Sequence, residues 1–540
     1  MVRLLTLTSL LLVGACTFSS PSPEQSVSQP DSRYLTVLHT NDHHGRFWTN
    51  DKGEYGMAAR ATLLRTLREQ AAQRGDALVL LSGGDINTGI PESDLQQAEP
   101  DFKGMSLLGY DAMAIGNHEF DNPLAVLDKQ QKWANFPLLS ANIKHKSSHE
   151  YAYTPYVLVE KNNINIAVLG LTTTDTAKIA NPEFIGDLEF INPTDATTGV
   201  LKEINSKNPD VIIAVTHMGH YADAKFGVNA PGDVTLARQL PLGAIDMIIG
   251  GHSQEPVCMS ASNVNDASYH PGKTCTPDNQ NGIWIMQAHE WGKYVGEARF
   301  EIKGDDVILQ SYTLHPVNLR DKSGQWVGDY IEPDQKMVDF LSPYQAKGQK
   351  QLSVTLGVTK ERLEGDRNKV RFMQTNLGQL ITTAQSQHVN ADFGIISGGG
   401  IRDSIPAGDI NYKDILRVHP FKNRIGYIDF SGTEALAFIS KITRFPVDSG
   451  AYTHINNVTP VCDNAQLVNV LINGQPLQAD QTYRMSINSY NAAGGDGYPR
   501  LNNDPRFVDT GDTDAEILSA YVRKNSPIQG IKTPQSLTCQ

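Results

Sequence analysis

The sequence is poor in the features that a membrane span, a thiolate metal site or a nucleic-acid surface would need. The apolar run Leu4 to Val13 is too short to cross a bilayer. Cysteine is scarce, at five in 540 residues, and no two are spaced as CxxC, so a thiolate zinc site is not expected. Basic residues are outnumbered, 46 Lys and Arg against 59 Asp and Glu, for a formal charge of −13. Phosphate backbones select basic surfaces, so nucleic acid is not an expected partner. A small anionic substrate is still allowed, because a few arginines and a metal set the local field whatever the total charge. There is no internal repeat, and beyond residues 17–33 no low-complexity segment. What remains is ordinary for folded domains: 40% hydrophobic and 19% charged residues. At roughly 100–200 residues per domain, the length calls for two domains or more.

The N-terminus reads as a targeting segment. Arg3 supplies a positive charge, Leu4 to Val13 an apolar core, and Gly14-Ala15-Cys16 a small-residue junction. This resembles a bacterial lipoprotein signal, with residues 1–15 removed and Cys16 lipidated. The other reading is an ordinary cleaved signal with a chance cysteine. Residues 16–33, rich in Ser, Pro and Gln, look like a flexible tether. Thr17 stands where inner-membrane lipoproteins carry aspartate. The expected location is therefore the bacterial cell envelope, anchored by lipid to the outer membrane. Four cysteines then remain, Cys258, Cys275, Cys462 and Cys539, an even count in an exported chain. Three pairings are open, as are four free thiols. Proximity favours Cys258–Cys275 and Cys462–Cys539.

One pattern recurs through the first 260 residues: an apolar strand followed by a polar cluster. Leu35–Leu38 runs into Asn41-Asp42-His43-His44, and Ala77–Leu81 into Ser82-Gly83-Gly84-Asp85. Ala112–Ile115 precedes Gly116-Asn117-His118-Glu119, Val211–Val215 precedes Thr216-His217, and Met247–Ile249 precedes Gly250-Gly251-His252-Ser253-Gln254. Helical stretches such as Gly56–Gln73 fall between them. The alternation predicts a mainly parallel α/β sheet, with ligands at the carboxyl ends of its strands and all five clusters on one rim. A helix is expected at about residues 333–350. Beyond Leu352 a second region has its own apolar runs: Phe393–Ile396, Ile425–Phe430, Val468–Ile472 and Arg484–Ile487.

On that rim Asp42, His44, Asp85, Asn117, His217, His252 and Gln254 bring two carboxylates, three imidazoles and two amides, with no thiolate. Mixed N and O donors suit Zn²⁺, Mn²⁺, Co²⁺ or Mg²⁺. Seven donors are too many for one tetrahedral ion and suit two ions that share a carboxylate. Asp85 is the natural bridge. Two ions about 3.5–4 Å apart would clamp a phosphoryl group and activate a water between them.

These blocks resemble those of the calcineurin-like metallophosphoesterases. The longer forms Leu38-His39-Thr40-Asn41-Asp42 and Gly116-Asn117-His118-Glu119-Phe120-Asp121 narrow the likeness to the 5′-nucleotidase family, and most of all to its bacterial exported UDP-sugar hydrolase branch. The resemblance covers essentially the whole chain after the leader. It implies an α/β protein: an N-terminal metallophosphoesterase sandwich of mixed sheets flanked by helices (34–330), a connecting helix and hinge (331–352), and a C-terminal α/β nucleotide-recognition domain (353–540). It places Asp42, His44, Asp85 and Gln254 on one metal, and Asp85, Asn117, His217 and His252 on the other. His118 matches the catalytic histidine, and Asp121 its partner. His43 matches no ligand position and is expected to play a supporting role. Arg46 is unassigned.

The second region carries the expected substrate contacts. Arg367 and Arg371 are four residues apart, on one face if helical. Arg402 follows what reads as a flexible Ser397-Gly398-Gly399-Gly400 turn. Arginine forks suit phosphate oxygens. The resemblance gives these three the phosphate, makes Phe421 and Tyr490 a sandwich for the nucleobase, and assigns Asp496 to the ribose and Asn423 to the base. Phenylalanine is the more usual second stacking residue in the family, so Tyr490 is a departure. The implied activity is hydrolysis of 5′-nucleotides to nucleoside and phosphate, extending to nucleoside di- and triphosphates and UDP-sugars, for nucleotide salvage. A large rotation of the C-terminal domain about residues 333–355 goes with it. Two rivals share part of the evidence: a 2′,3′-cyclic nucleotide phosphodiesterase/3′-nucleotidase, and a nucleotide-binding surface receptor without catalysis. No residue decides the chloride requirement known in some relatives. No separate dimerisation segment is visible, so a monomer is expected.

Overall fold

A computed structural model describes residues 32–222, 231–262, 264–266, 268–463 and 466–531. The expected signal sequence, Cys16 and Cys539 lie outside the described residues.

The first half is a sandwich of two six-stranded sheets. One runs in the order Asp306–Pro316, Tyr294–Lys303, Arg33–Thr40, Ala77–Ser82, Ala112–Ala114 and Leu138–Leu139. The other runs Asp278–Gln280, Ile283–Met286, Met247–Ile249, Val211–His217, Ile164–Thr172 and Tyr156–Lys161. In each, four consecutive strands pair in parallel and the remaining pairings are antiparallel. Period-two alternation shows how the second sheet is buried on both faces. Ile166, Val168, Ile213, Val215, Met247 and Ile249 face the shared core. Ala167, Leu169, Ala214 and Ile248 face the helices Pro193–Asn205 and Asp233–Gln239.

The five polar clusters therefore do not share the rim of one sheet, as the strand–helix alternation suggested. Asp42, Asp85 and Asn117 follow strands of the first sheet, and His217 and His252 strands of the second. The sandwich brings the two sets of strand ends together. A period-two pattern states which faces are buried but not which sheet a strand joins.

The connecting helix is Gln335–Leu352, capped by Asp334, whose side chain accepts the Met337 N–H at 3.0 Å. Met337 and Leu341 bury themselves in the core of the first half, whereas Leu352 belongs to a core of the second. The helix thus joins two cores. Truncating the fully buried Leu341 to alanine would cost about 2–5 kcal/mol.

The second half is built on a five-stranded sheet, ordered Thr453–Ile455, Phe393–Ser397, Thr482–Asn488, Arg424–Ser431 and Val508–Thr513. Ile396 and Ile425 pack with helices Asn376–His388 and Asp514–Asn525, while Phe393, Ile395, Ile428 and Ile487 pack with helix Gly432–Ile442. The glycine run before Arg402 is not a flexible turn. Gly398–Gly400 forms a 3-10 turn, with Gly398 and Gly400 buried, and a Cβ on Gly398 would overlap the Val370 carbonyl. Close backbone approach explains those glycines better than freedom of movement does. Cys258 and Cys275 form a disulfide. Cys462 is also disulfide-bonded.

Candidate active site

The candidate metal ligands sit where strands stop. Arg33–Thr40 leads into Asp42 and His44, Ala77–Ser82 into Asp85, and Ala112–Ala114 into Asn117. Val211–His217 ends on His217, and Met247–Ile249 leads into His252 and Gln254. Five of these seven residues, Asp42, His44, Asp85, His252 and Gln254, hold φ between 50° and 79°. A left-handed backbone costs a non-glycine residue of order 1–3 kcal/mol and persists only where the surroundings enforce it. Here the surroundings are unusually tight. A Cβ on Gly116 would overlap Asp85 Oδ1, and one on Gly83 would overlap the Gly250 carbonyl, so the facing strand ends meet only because glycine stands there.

Hydrogen bonds fix the donors from behind. Glu119 is 1% exposed, and its carboxylate accepts the backbone N–H of Gly116 (2.7 Å), Asp85 (3.1 Å), Ile86 (2.8 Å) and Asn87 (3.3 Å). It pins the Asp85 loop to the Asn117 turn. The sequence displays Glu119 beside Asn117 and His118, yet nothing in its spacing announces this bracing role. Asp42 accepts the His252 N–H at 3.0 Å and the Asn41 amide at 2.7 Å. His44 donates from Nδ1 to the Thr88 carbonyl at 2.8 Å, and His217 from Nδ1 to the Gly83 carbonyl at 2.7 Å. Both rings are thereby held with Nε2 as the free lone pair.

Those lone pairs converge. Donor atoms of His44, Asp85 and His118 lie within 4.8 Å of one another, as do those of Asp85, His217 and His252, and Asp85 is common to both groups. Asp85 Oδ2 is 2.9 Å from His217 Nε2 and 3.8 Å from His44 Nε2, and Asp42 Oδ1 is 3.8 Å from the same His44 atom. Asn117 Oδ1 lies 2.9 Å from His252 Nδ1, and the Gln254 amide 2.9 Å from His44 Nε2. His217 Nε2 is buried without a hydrogen-bond partner among the described residues, although Asp85 Oδ2 stands 2.9 Å away. That geometry, with O and N donors and no thiolate, fits divalent cations. The local charge balance agrees. Burial opposes protonation of His217, yet Asp85 and Asp42 push it up to about 10. Burial likewise opposes His118, and Asp121 and Asp85 carry it up to about 9. The carboxylates call for positive charge.

His118 lies on the open side of this cluster. Its Nδ1 is 2.5 Å from Asp121 Oδ2, and Asp121 also accepts the Thr88 hydroxyl at 2.6 Å. His43 points the other way. Its Nε2 is 2.9 Å from Asp101 Oδ1 and its Nδ1 is 3.3 Å from Arg60 Nη2, in a site where all three residues are at most 2% exposed. Arg46 donates to the His44 carbonyl at 2.9 Å and lies 3.8 Å over the Trp291 ring.

The second half faces the cluster across a cavity of about 200 Å³. Asp85, Asn117, His118, Asp121, His252 and Gln254 line it from one side; Arg367, Arg371, Arg402, Phe421, Asn423, Tyr490 and Asp496 line it from the other. Arg367 opens a four-residue helix that Arg371 caps. Burial, together with Arg367 and Arg402, pushes Arg371 down to about 9, the mark of guanidinium groups crowded without enough anion. Arg402 lies 5.5 Å over the Phe421 ring, and Phe421 lies parallel to His118 with centroids 6.4 Å apart. Asp496 has φ 55°, and a Cβ on neighbouring Gly495 would overlap the Tyr490 ring. Burial first, then Asp496, holds the Tyr490 phenol well above its ordinary range. Five lining residues of the first half carried no signal in the sequence: Asp175, Ile179, Asn181 and Phe184 from two short helices, Thr176–Ile179 and Pro182–Ile185, and their caps, and Tyr221 from the loop after His217.

A two-sheet sandwich with donor-bearing strand ends defines a calcineurin-like phosphoesterase, and residues 35–256 match that family, described as calcineurin-like phosphoesterase. Residues 355–503 match the 5'-nucleotidase, C-terminal domain. The chain is 53% identical over 522 residues to protein UshA of Escherichia coli (strain K12), covering 95% of each. It is 52% identical over 528 residues to a 5'-nucleotidase of Vibrio cholerae, covering 96% of each. Among solved structures, a 5'-nucleotidase precursor from Thermus thermophilus superposes with a TM-score of 0.71 at 27% identity, over 92% of this chain and 98% of that one. The chain belongs to the 5′-nucleotidase family of metallophosphoesterases.

Proposed function

We propose that this enzyme hydrolyses 5′-nucleotides to nucleoside and phosphate, with Asp42, His44, Asp85 and Gln254 holding one divalent ion and Asp85, Asn117, His217 and His252 the other. When bound, such a pair polarises the phosphoryl oxygens and lowers the pKa of water. The chain's own residues do the rest. His118, oriented by Asp121, donates a hydrogen bond to a phosphoryl oxygen or to the leaving 5′-oxygen. Arg367, Arg371 and Arg402 neutralise the phosphate from the opposite wall. Phe421 and Tyr490 stack the base, Asn423 contacts its edge, and Asp496 accepts the ribose hydroxyls. The single observation that carries the reading is the parallel approach of His118 and Phe421 within one cavity, since it brings a candidate proton donor and a candidate base platform within one nucleotide's reach.

The decisive experiment is phosphate release from AMP by the chain from about residue 31, stripped of metal and reloaded with Mn²⁺, Co²⁺, Zn²⁺ or Mg²⁺. Activity lost on stripping and restored by metal is the expected result. No release with any of the four would overturn the reading.

The finer parts of the proposal rest on resemblance. Nucleoside di- and triphosphates and UDP-sugars join the substrates, the role is salvage, and the chain acts as a monomer held by lipid on Cys16 at the outer membrane. The C-terminal half rotates about the helix Gln335–Leu352 between turnovers. A cross-link that fixes the two halves is expected to slow turnover, and full activity in a locked form would sink the rotation.

A further inference from the structure

Two non-glycine residues outside the ligand set also hold a left-handed backbone: His289 at φ 68° and Trp291 at φ 62°. They lie in the loop 287–293, which passes from strand Ile283–Met286 of the second sheet to strand Tyr294–Lys303 of the first. Each such residue costs of order 1–3 kcal/mol, so something must hold the loop in place. What holds it is the segment that carries the first metal ligands. The Ala288 N–H donates to Asn41 Oδ1 at 2.7 Å, the Asn41 amide donates to the His289 carbonyl, and the Trp291 N–H donates to the Asp42 carbonyl at 2.6 Å. A Cβ on Gly292 would overlap the Arg60 guanidinium, so glycine there admits the side chain that bonds His43.

Arg46, which belongs to no ligand set, closes the contact. Its Nη1 donates to the His44 carbonyl at 2.9 Å, while its guanidinium lies 3.8 Å over the Trp291 ring. The half-buried ring is the platform that aims the guanidinium at His44. On the far side of the loop the Gln254 carbonyl lies against the His289 ring. The loop and Arg46 thus touch Asp42, His44 and Gln254, the three ligands proposed for one ion alone. None of these contacts goes to Asn117, His217 or His252, which belong to the other ion.

We infer that residues 288–292 and Arg46 form a brace for one metal site of the pair, with Trp291 and Arg46 as positioning residues that set its affinity and leave the other site unchanged. The inference rests on the ligand assignment proposed above. A ligand side chain points where its backbone points, and the partners that orient metal ligands are worth about 10–100-fold in metal affinity.

The test titrates the metal-stripped chain with Mn²⁺. Bound ions are counted by elemental analysis, and their pairing is read by electron paramagnetic resonance, in which two neighbouring Mn²⁺ ions give an exchange-coupled spectrum and a lone ion does not. The wild-type chain is expected to take up two ions and show the coupled spectrum. Arg46→Met and Trp291→Ala are expected to bind one ion as the wild type does and the other roughly ten- to hundredfold more weakly. At a Mn²⁺ level that just fills the wild type, they should hold one ion with an uncoupled spectrum, and excess Mn²⁺ should bring the coupled spectrum back. Trp291→Phe keeps an aromatic platform and is expected to restore most of the affinity. A merely structural role would lower Tm and weaken both ions alike. Equal weakening of both sites, or wild-type affinity in Arg46→Met, would overturn the brace; Arg46→Met, which removes only the guanidinium, decides the matter if Trp291→Ala fails to fold. A wild-type chain that takes up fewer than two ions would instead bring down the ligand assignment and the brace with it.

Discussion

The two walls of the cleft are built by opposite means. On the first-half wall, Asp42, His44, Asp85 and His217 are at most 4% exposed, sit on strand ends and are held by backbone hydrogen bonds, the first three with left-handed φ. On the second-half wall, Arg367 and Arg402 are exposed to the cleft, come from a four-residue helix and a loop, and repel Arg371. One wall fixes positions before anything binds. The other holds unsatisfied charge that an anion completes. The contrast teaches where each task belongs: coordination and proton placement tolerate little displacement, whereas recognition can close around its ligand.

Substitutions on the two walls should therefore fail differently. Asp85→Asn removes the one carboxylate shared by both donor groups. It is expected to cost roughly 10³-fold or more in phosphate release, about 4 kcal/mol, together with loss of bound metal measured by elemental analysis. An Asp85 variant that keeps both metals and full activity would break the comparison. Arg402→Ala, across the cleft, should cost roughly 10²-fold in kcat/KM while the metal content stays intact, because only a charged phosphate contact is gone. Phe421→Leu comes next. Loss of base stacking is worth about 1–3 kcal/mol, so KM for AMP is expected to rise roughly tenfold at unchanged metal content. Metal loss in either second-half variant would show that the two walls are not separable.

The same contrast explains what could be read from the sequence. The strands leading to the metal ligands were legible because each is a mainly apolar run that stops at a polar block. Ala77–Leu81 was expected and Ala77–Ser82 is found; Met247–Ile249 agrees at both ends. Membership of one sheet or the other was not legible, because facing sheets of a sandwich share one alternation. The hairpin Tyr294–Lys303 and Asp306–Pro316 went unread: its outer strand alternates exposed and half-buried residues and offers no apolar run. Within the site, residue types with metal affinity stood out, and the structure brings all seven candidate ligands to one locus. Bracing residues did not stand out. Glu119 acts through four backbone N–H groups, and backbone groups leave no mark in a sequence. Asn181 and Phe184 reach the cavity from the one-turn helix Pro182–Ile185 and its cap, placed there by tertiary packing.

The smallest expected effect tests the contrast inside the first half itself. His43 stands between two candidate ligands and is as buried as they are, yet its ring is turned from the metal locus toward Asp101 and Arg60. Arg60 donates to Nδ1, which leaves Nε2–H to donate to Asp101, and Ser93 donates to the other Asp101 oxygen at 2.5 Å. Burial first, then Arg60, holds His43 well below its ordinary pKa, so a neutral ring does all of this bonding. Glutamine has a donor and an acceptor but cannot place both on His43's two partners. His43→Gln is therefore expected to lower stability by about 1–3 kcal/mol, read as a fall in Tm, with both metals retained and kcat reduced no more than a few-fold. The neighbouring substitution His44→Gln should do the reverse: metal is lost first and stability changes less. If His43→Gln lost metal as readily as His44→Gln, burial and sequence position would outweigh ring orientation, and the division between ligand and brace drawn from the hydrogen bonds would be wrong.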